Sequence, residues 1–79
     1  MQAEIYGSPN CAYCKQAMFL CETEGIEYDY FCMIKDFDKA IKASERAGVA
    51  FRSAPQVFID GKHVGGFTDL EKFLNELKG

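Results

Sequence analysis

Two cysteines three positions apart, Cys11 and Cys14, are the residues of this chain best suited to chemistry. They follow a short apolar segment and a breaker-rich loop, and they stand just ahead of a helical pattern. A thiol at the first turn of a helix meets the positive end of the helix dipole and unpaired backbone N–H groups, and both favour the thiolate. Because the thiolate is the form that attacks disulfides, we predict Cys11 as the nucleophile. Cys14, about one helical turn later, is then the resolving thiol.

The same spacing is common among zinc ligands, so the pair alone does not separate redox chemistry from half of a zinc site. The position at a helix start favours redox chemistry. Cys21 lies roughly 10 Å along the helix from Cys14, too far to share a metal at about 2.3 Å per Zn–S bond. His63 is predicted to be an exposed strand residue and not a ligand. We therefore expect no metal, and we predict Cys21 and Cys32 as small buried residues, with a regulatory disulfide on Cys32 left open.

Composition limits the class of protein. The 79 residues are 48% hydrophobic and 14% aromatic, which predicts one globular domain, residues 1–79. The net charge of -3 excludes a general nucleic-acid binder, because phosphate neutralisation needs clustered Lys and Arg. No apolar segment approaches the roughly 20 residues of a spanning helix, and the start lacks the features of a signal peptide. A cytoplasmic protein with no membrane partner is expected.

The elements that position the cysteine pair are indicated by local patterns. Strands are predicted at Ala3–Tyr6 and Ile26–Cys32. Between them runs a helix with an apolar stripe beginning at Cys14, and Gly25 ends it. A strand, a helix and a strand in this order form a right-handed parallel βαβ unit.

A second helix is expected to follow, capped by Asp36 and ending at Gly48. Its weak inward face consists of Phe37, Ala40, Ile41, Ser44 and Ala47. Next comes Asp60-Gly61, a strong signal for a tight hairpin between strands 56–59 and 62–64, because both turn positions need positive φ.

The last helix has the clearest periodicity, from Leu70 to Leu77, and a capping box from Thr68 to Glu71 is predicted at its start. The expected order is βαβαββα, an α/β fold.

Four separated segments give this chain a resemblance to the glutaredoxin family. They are Cys11-Ala12-Tyr13-Cys14, Arg52-Ser53-Ala54-Pro55-Gln56-Val57-Phe58-Ile59, Asp60-Gly61 and Gly65-Gly66-Phe67-Thr68-Asp69. The resemblance implies a minimal thioredoxin fold, with a four-stranded mixed sheet flanked by three helices. It also implies that the Cys11–Cys14 dithiol reduces protein disulfides and glutathione mixed disulfides, with glutathione as the reductant.

The resemblance also implies which residues bind glutathione. Tyr13 matches the tyrosine beside the bound tripeptide. Ala54-Pro55 stands where the family has a cis-proline, and the backbone before that proline pairs with the ligand like an added strand. The segment that holds the γ-glutamyl end is matched by Gly66, Phe67, Thr68 and Asp69, and free N–H groups at a helix start suit a carboxylate there.

Departures from the family pattern leave some assignments open. The lysine that many members carry before the motif is absent, so Arg52 and Lys15 are the nearest basic candidates for the glycine carboxylate and for thiolate support. Ala12 stands where the family often has proline, which keeps open an iron–sulfur module ligated by Cys11 and glutathione. A thioredoxin-like reductant recycled by a flavoenzyme reductase is the other alternative.

The partners implied by the resemblance are glutathione and disulfide-containing proteins, with ribonucleotide reductase as a candidate among them. A monomer is expected.

Overall fold

The computed structural model describes residues 1–79 and has a four-stranded sheet with three helices. The elements are β1 (Gln2–Gly7), α1 (Ala12–Thr23), β2 (Glu27–Cys32), α2 (Phe37–Ala47), β3 (Gln56–Ile59), β4 (Lys62–Gly65) and α3 (Phe67–Lys78). The predicted order βαβαββα is confirmed. None of the helices combines the length and the apolar character that crossing a membrane requires.

The sheet is mixed, with strand order β2-β1-β3-β4. β1 and β2 are parallel, as the βαβ prediction requires, whereas β3 is antiparallel to both β1 and β4. Asp60 and Gly61 have φ of 50° and 84°, the positive values that a tight hairpin needs. Tyr6 pairs with Phe31 on one side and Gln56 on the other, so β1 and β2 end, and β3 begins, at one edge of the sheet. The loops that lead to the cysteines and away from α2 meet at that edge.

Each face of the sheet has its own core. Helices α1 and α3 cover one face, where the buried cluster is Ala3, Ile5, Ala17, Cys21, Ile26, Val57, Ile59, Leu70 and Leu74. The other face is covered by α2, with a smaller cluster of Tyr6, Ala40, Ala43 and Phe58. Helices α1 and α3 are therefore both packed against the same face of the sheet.

Two inward faces differ from the sequence prediction. In α2 the buried residues are Ala40 and Ala43, whereas Phe37 and Ile41 are exposed, because small side chains let the helix lie close to the sheet. In α3 the apolar stripe extends one turn beyond the core, so Leu77 is exposed. The spacing of apolar residues predicted these helices, but it did not predict which of those residues contact the sheet.

Two helix caps also differ from prediction. The box from Thr68 to Glu71 is wrong, because α3 begins at Phe67 with Gly66 as its N-cap. The Gly66 N–H donates to Asp69 Oδ2 at 3.0 Å, so the capping carboxylate lies two residues earlier than predicted. Asp36 is the N-cap of α2, as predicted, but its side chain makes no capping hydrogen bond.

Candidate active site

The two cysteines occupy unequal positions at the start of α1. Cys11 is the N-cap residue and is partly exposed, whereas Cys14 is 1% exposed. A disulfide joins them, with their Cα atoms 5.2 Å apart. A substrate can therefore reach the Cys11 sulfur, while the Cys14 sulfur faces the interior. This difference in access is what the predicted roles of nucleophile and resolving thiol require.

Local electrostatics favour negative charge on Cys11. Its Sγ accepts a hydrogen bond from the Cys14 backbone N–H at 3.1 Å, and such a bond is strongest when the sulfur is an anion. The first turn of α1 contains no acidic residue, so no carboxylate on that turn opposes the positive end of the helix dipole. Lys15 lies exposed one turn after Cys11 and adds a positive charge to this end of the helix.

The Cys14 sulfur fits into a space left by a glycine. A Cβ atom at Gly7 would lie 2.8 Å from Cys14 Sγ and 2.8 Å from Tyr30 Cε1. Tyr30 donates a long hydrogen bond of 3.5 Å to the Ser8 carbonyl. Burial, and secondarily the charge of Cys32, raise the pKa of Tyr30, so its hydroxyl stays protonated. Sequence reasoning missed Gly7 and Tyr30; a glycine at the end of an apolar strand was the available signal for close approach.

A groove of about 170 Å³ opens along the edge of the sheet where the cysteine loop lies. Eight residues line it: Tyr13, Ser53, Ala54, Pro55, Gly66, Phe67, Thr68 and Asp69. The resemblance had singled out all of these except Ser53. Arg52 is exposed and is not among the lining residues. Three segments distant in sequence thus meet in one groove.

The walls of the groove come from the first turn of α1, the loop before β3 and the start of α3. Tyr13, between the two cysteines, has its ring centroid 5.9 Å from that of Phe67. The Ala54–Pro55 peptide bond is cis, as the resemblance implied. The first N–H groups of α3 have no partner within the helix, which makes this end suited to an anion.

The glycines at the start of α3 bring the backbone close to a carboxylate. Gly65 has φ of 125°, and a Cβ atom there would collide with the Asp69 carboxylate. Because Asp69 Oδ2 also accepts the Gly66 N–H, the two glycines and Asp69 form one compact turn at the end of the groove. A side chain at position 65 would force that turn apart.

The remaining cysteines and the histidine lie away from this groove. Cys21 is buried as predicted, and burial, with a smaller effect of the Glu22 charge, raises its pKa. Cys32 is free and only half-buried, so it is less enclosed than predicted. His63 is also half-buried, contrary to prediction, because Phe51 stacks on its ring at a centroid distance of 5.8 Å. No three His, Cys, Asp or Glu side chains converge in a way that could hold a metal ion.

Comparison with known proteins adds an independent finding. The family model described as Glutaredoxin matches residues 3–64. Glutaredoxin 1 of Escherichia coli is 30% identical over 81 residues, which cover 96% of this chain and 95% of that protein. The structure of reduced E. coli glutaredoxin has a TM-score of 0.83 at 29% identity, with both chains fully covered. A buckwheat glutaredoxin–glutathione complex has a TM-score of 0.77 at 27% identity, covering 96% of this chain and 70% of that one. The predicted thioredoxin fold is confirmed by these likenesses.

Proposed function

This chain belongs to the glutaredoxin family, and from that membership we propose that it uses glutathione to reduce protein disulfides and glutathione mixed disulfides. The coarser activity, thiol–disulfide oxidoreduction, follows from the family together with the bonded Cys11–Cys14 pair. Glutathione dependence is supported above all by one observation. A groove that begins at Tyr13, between the two cysteines, ends at the unpaired N–H groups of α3.

The proposed reaction is a series of four thiol–disulfide exchanges. The Cys11 thiolate attacks one sulfur of a substrate disulfide, the S–S bond breaks, and the other sulfur leaves as a thiolate that takes a proton from water. Cys14, once deprotonated, attacks the Cys11 sulfur, which releases the second substrate thiol and forms the Cys11–Cys14 disulfide. One glutathione thiolate then opens this disulfide, and a second glutathione removes the first as glutathione disulfide.

Each part of glutathione has a proposed partner in the groove. The backbone beside Pro55 pairs with the cysteine residue of the tripeptide like an added strand. The γ-glutamyl carboxylate lies against the N–H groups at Phe67 and Thr68, the first two of α3, while the Thr68 and Asp69 side chains receive its amine. Tyr13 packs on the tripeptide from the first turn of α1.

The proposed partner of the glycine end of the tripeptide lies outside the groove. Arg52 is exposed beside the lining residues, and it is proposed to reach the glycine carboxylate as the ligand binds.

Glutathione-coupled reduction of a small glutathione mixed disulfide tests this proposal. Cys11→Ser is expected to abolish turnover, whereas Cys14→Ser retains much of it, because a route through one thiol needs only the attacking sulfur. Cys32→Ser is the matched control: it removes a free thiol outside the pair and is expected to leave the rate unchanged. Equal loss in the Cys11 and Cys14 variants would contradict the assigned roles. Activity recovered only with a flavoprotein reductase would favour the thioredoxin-like alternative.

Finer aspects of the proposal rest on the family resemblance. Ribonucleotide reductase is proposed as one disulfide substrate, and the protein is proposed to act in the cytoplasm as a monomer. Protein purified without oxygen is expected to be a colourless monomer. A coloured species with two chains per cluster would instead support an iron–sulfur module ligated by Cys11 and glutathione.

A further inference from the structure

A chain of side-chain hydrogen bonds reaches the groove from the opposite side of the sheet. His63 Nε2 lies 2.9 Å from Gln56 Oε1, and Gln56 Nε2 lies 3.1 Å from the Ser53 carbonyl oxygen and 3.4 Å from Ser53 Oγ. Ser53 lines the groove, whereas Gln56 and His63 do not. The chain therefore links a residue outside the groove to its wall.

The direction of each bond is set by what the groups can do. The Ser53 carbonyl can only accept, so the amide nitrogen of Gln56 must face it. The amide oxygen of Gln56 then faces His63, and His63 Nε2 must carry the hydrogen that is donated. Each donor in this chain has an acceptor, and the arrangement works for only one tautomer of neutral His63.

The loop at the end of this chain has few other polar attachments. No backbone–backbone hydrogen bond outside the helices and strands involves residues 51–55. The only side-chain hydrogen bonds that reach residues 52–55 are the two from Gln56. The hydrogen bonds from the Gln56 side chain are thus the only ones that hold residues 53–55 at the groove.

The other end of the chain is anchored firmly. The His63 ring lies 5.8 Å from the Phe51 ring and 5.2 Å from the Phe58 ring, and Phe58 is 1% exposed. Gln56 belongs to β3 and pairs with Tyr6 of the central strand β1. A ring fixed between two aromatic side chains, and an amide fixed on a central pair of strands, give the loop a rigid point of attachment.

We infer that His63 is a positioning residue for glutathione: through Gln56 it holds the loop 53–55 in the shape that pairs with the tripeptide. This inference rests on the proposed function, since it concerns the same groove. His63 touches neither the groove nor the cysteines, so its loss leaves the exchange at Cys11 intact and weakens binding only. Releasing one neutral hydrogen bond that orders the loop is expected to raise KM about five- to tenfold.

A pair of substitutions separates hydrogen bonding from packing. His63→Phe keeps an aromatic ring between Phe51 and Phe58 but has no hydrogen to donate. His63→Gln loses the ring but keeps an N–H that can reach Gln56 Oε1. If His63 only filled space, His63→Phe would be tolerated and His63→Gln would not; positioning through the hydrogen bond predicts the reverse.

The assay is steady-state reduction of a glutathionylated peptide. We expect His63→Phe to raise KM about five- to tenfold with kcat unchanged. We expect His63→Gln to restore most of the wild-type KM. Gln56→Met removes all three bonds and is expected to raise KM at least as much as His63→Phe, and adding His63→Phe to Gln56→Met is expected to raise KM no further. The pH dependence of Cys11 alkylation by iodoacetamide is expected to be the same in all variants.

Other outcomes would overturn the inference. They are a wild-type KM in His63→Phe, a parallel fall in kcat, or a KM in His63→Gln no better than in His63→Phe. Backbone amide NMR shifts of residues 53 and 54 in the free protein give a readout that does not need turnover: His63→Phe should move them and His63→Gln should restore them. If wild-type protein shows no glutathione-coupled turnover, the proposed function fails, and the NMR comparison still decides whether His63 positions the loop.

Discussion

Replacing Gly7 by alanine should place a methyl group directly against the Cys14 sulfur. The new Cβ atom would lie 2.8 Å from Cys14 Sγ, 2.8 Å from Tyr30 Cε1 and 2.9 Å from the Tyr30 hydroxyl oxygen. Optimal contacts between such atoms are near 3.5–4.0 Å, so both neighbours must give way by roughly 1 Å. Tyr30 is 38% exposed and can rotate toward solvent, but Cys14 is 1% exposed and is enclosed by its neighbours, so it cannot move without disturbing the core.

The size of the effect follows from packing and chain entropy. Overfilling a closely packed site costs about 1–3 kcal/mol, and two displaced neighbours place Gly7→Ala in the upper half of that range. The added methyl group also stiffens the unfolded chain, which returns roughly 0.4–1 kcal/mol. The net loss is about 1.5 kcal/mol, and in a domain of this size that lowers Tm by about 6–12 °C.

Thermal unfolding of the reduced protein measures this loss, and a double-mutant cycle assigns it. Tyr30→Ala removes two of the three close contacts, so the penalty of Gly7→Ala should shrink in that background. Tyr28→Ala is the matched control, since Tyr28 is on the same strand and pairs with Ala3 at the far end of β1. There the penalty should be unchanged. A Gly7→Ala variant that melts with the wild type, or a penalty equal in both backgrounds, would refute the packing argument.

Three further predictions address stability and binding. Burial raises the pKa of Glu4, but the hydrogen bond from Arg46 at 2.8 Å, the hydrogen bond from the Tyr6 hydroxyl and the Arg46 charge together outweigh burial and hold the pKa below its ordinary 4.5. The Glu4–Arg46 pair therefore stabilises the fold above that pH, where Glu4 is ionised. The difference in urea midpoint between wild type and Arg46→Met should narrow as pH falls from about 6 to about 3. A difference that stays constant with pH would contradict this prediction. Gly65→Ala drives a Cβ atom into the Asp69 carboxylate, so KM for a glutathionylated peptide should rise about tenfold; an unchanged KM would argue against that turn as part of the site. Because burial raises the pKa of Cys21, this thiol should resist iodoacetamide until urea unfolds the reduced protein, and rapid labelling of the native form would show that its burial is wrong.

The sequence predicted those features that depend only on residues close to one another along the chain. The cysteine pair was assigned to a helix start because breakers precede it and an apolar stripe follows it. Asp60-Gly61 specified the hairpin because few residue pairs tolerate two positive φ angles in succession. The order of elements followed from the alternation of these local signals. The proposed glutathione site was indicated by family resemblance and not by any physical property of the single residues.

The tertiary structure decided what depends on contacts between distant segments. Two overlapping patterns, Gly66 with Asp69 and Thr68 with Glu71, both suit a helix start, and the fold uses the first. His63 reads as an exposed strand residue until Phe51, twelve positions earlier, covers its ring. Cys14 is the inaccessible thiol of the pair because α1 packs on a strand that ends in glycine. Burial is set by whatever segment packs from elsewhere in the chain, and no local pattern of residues records that.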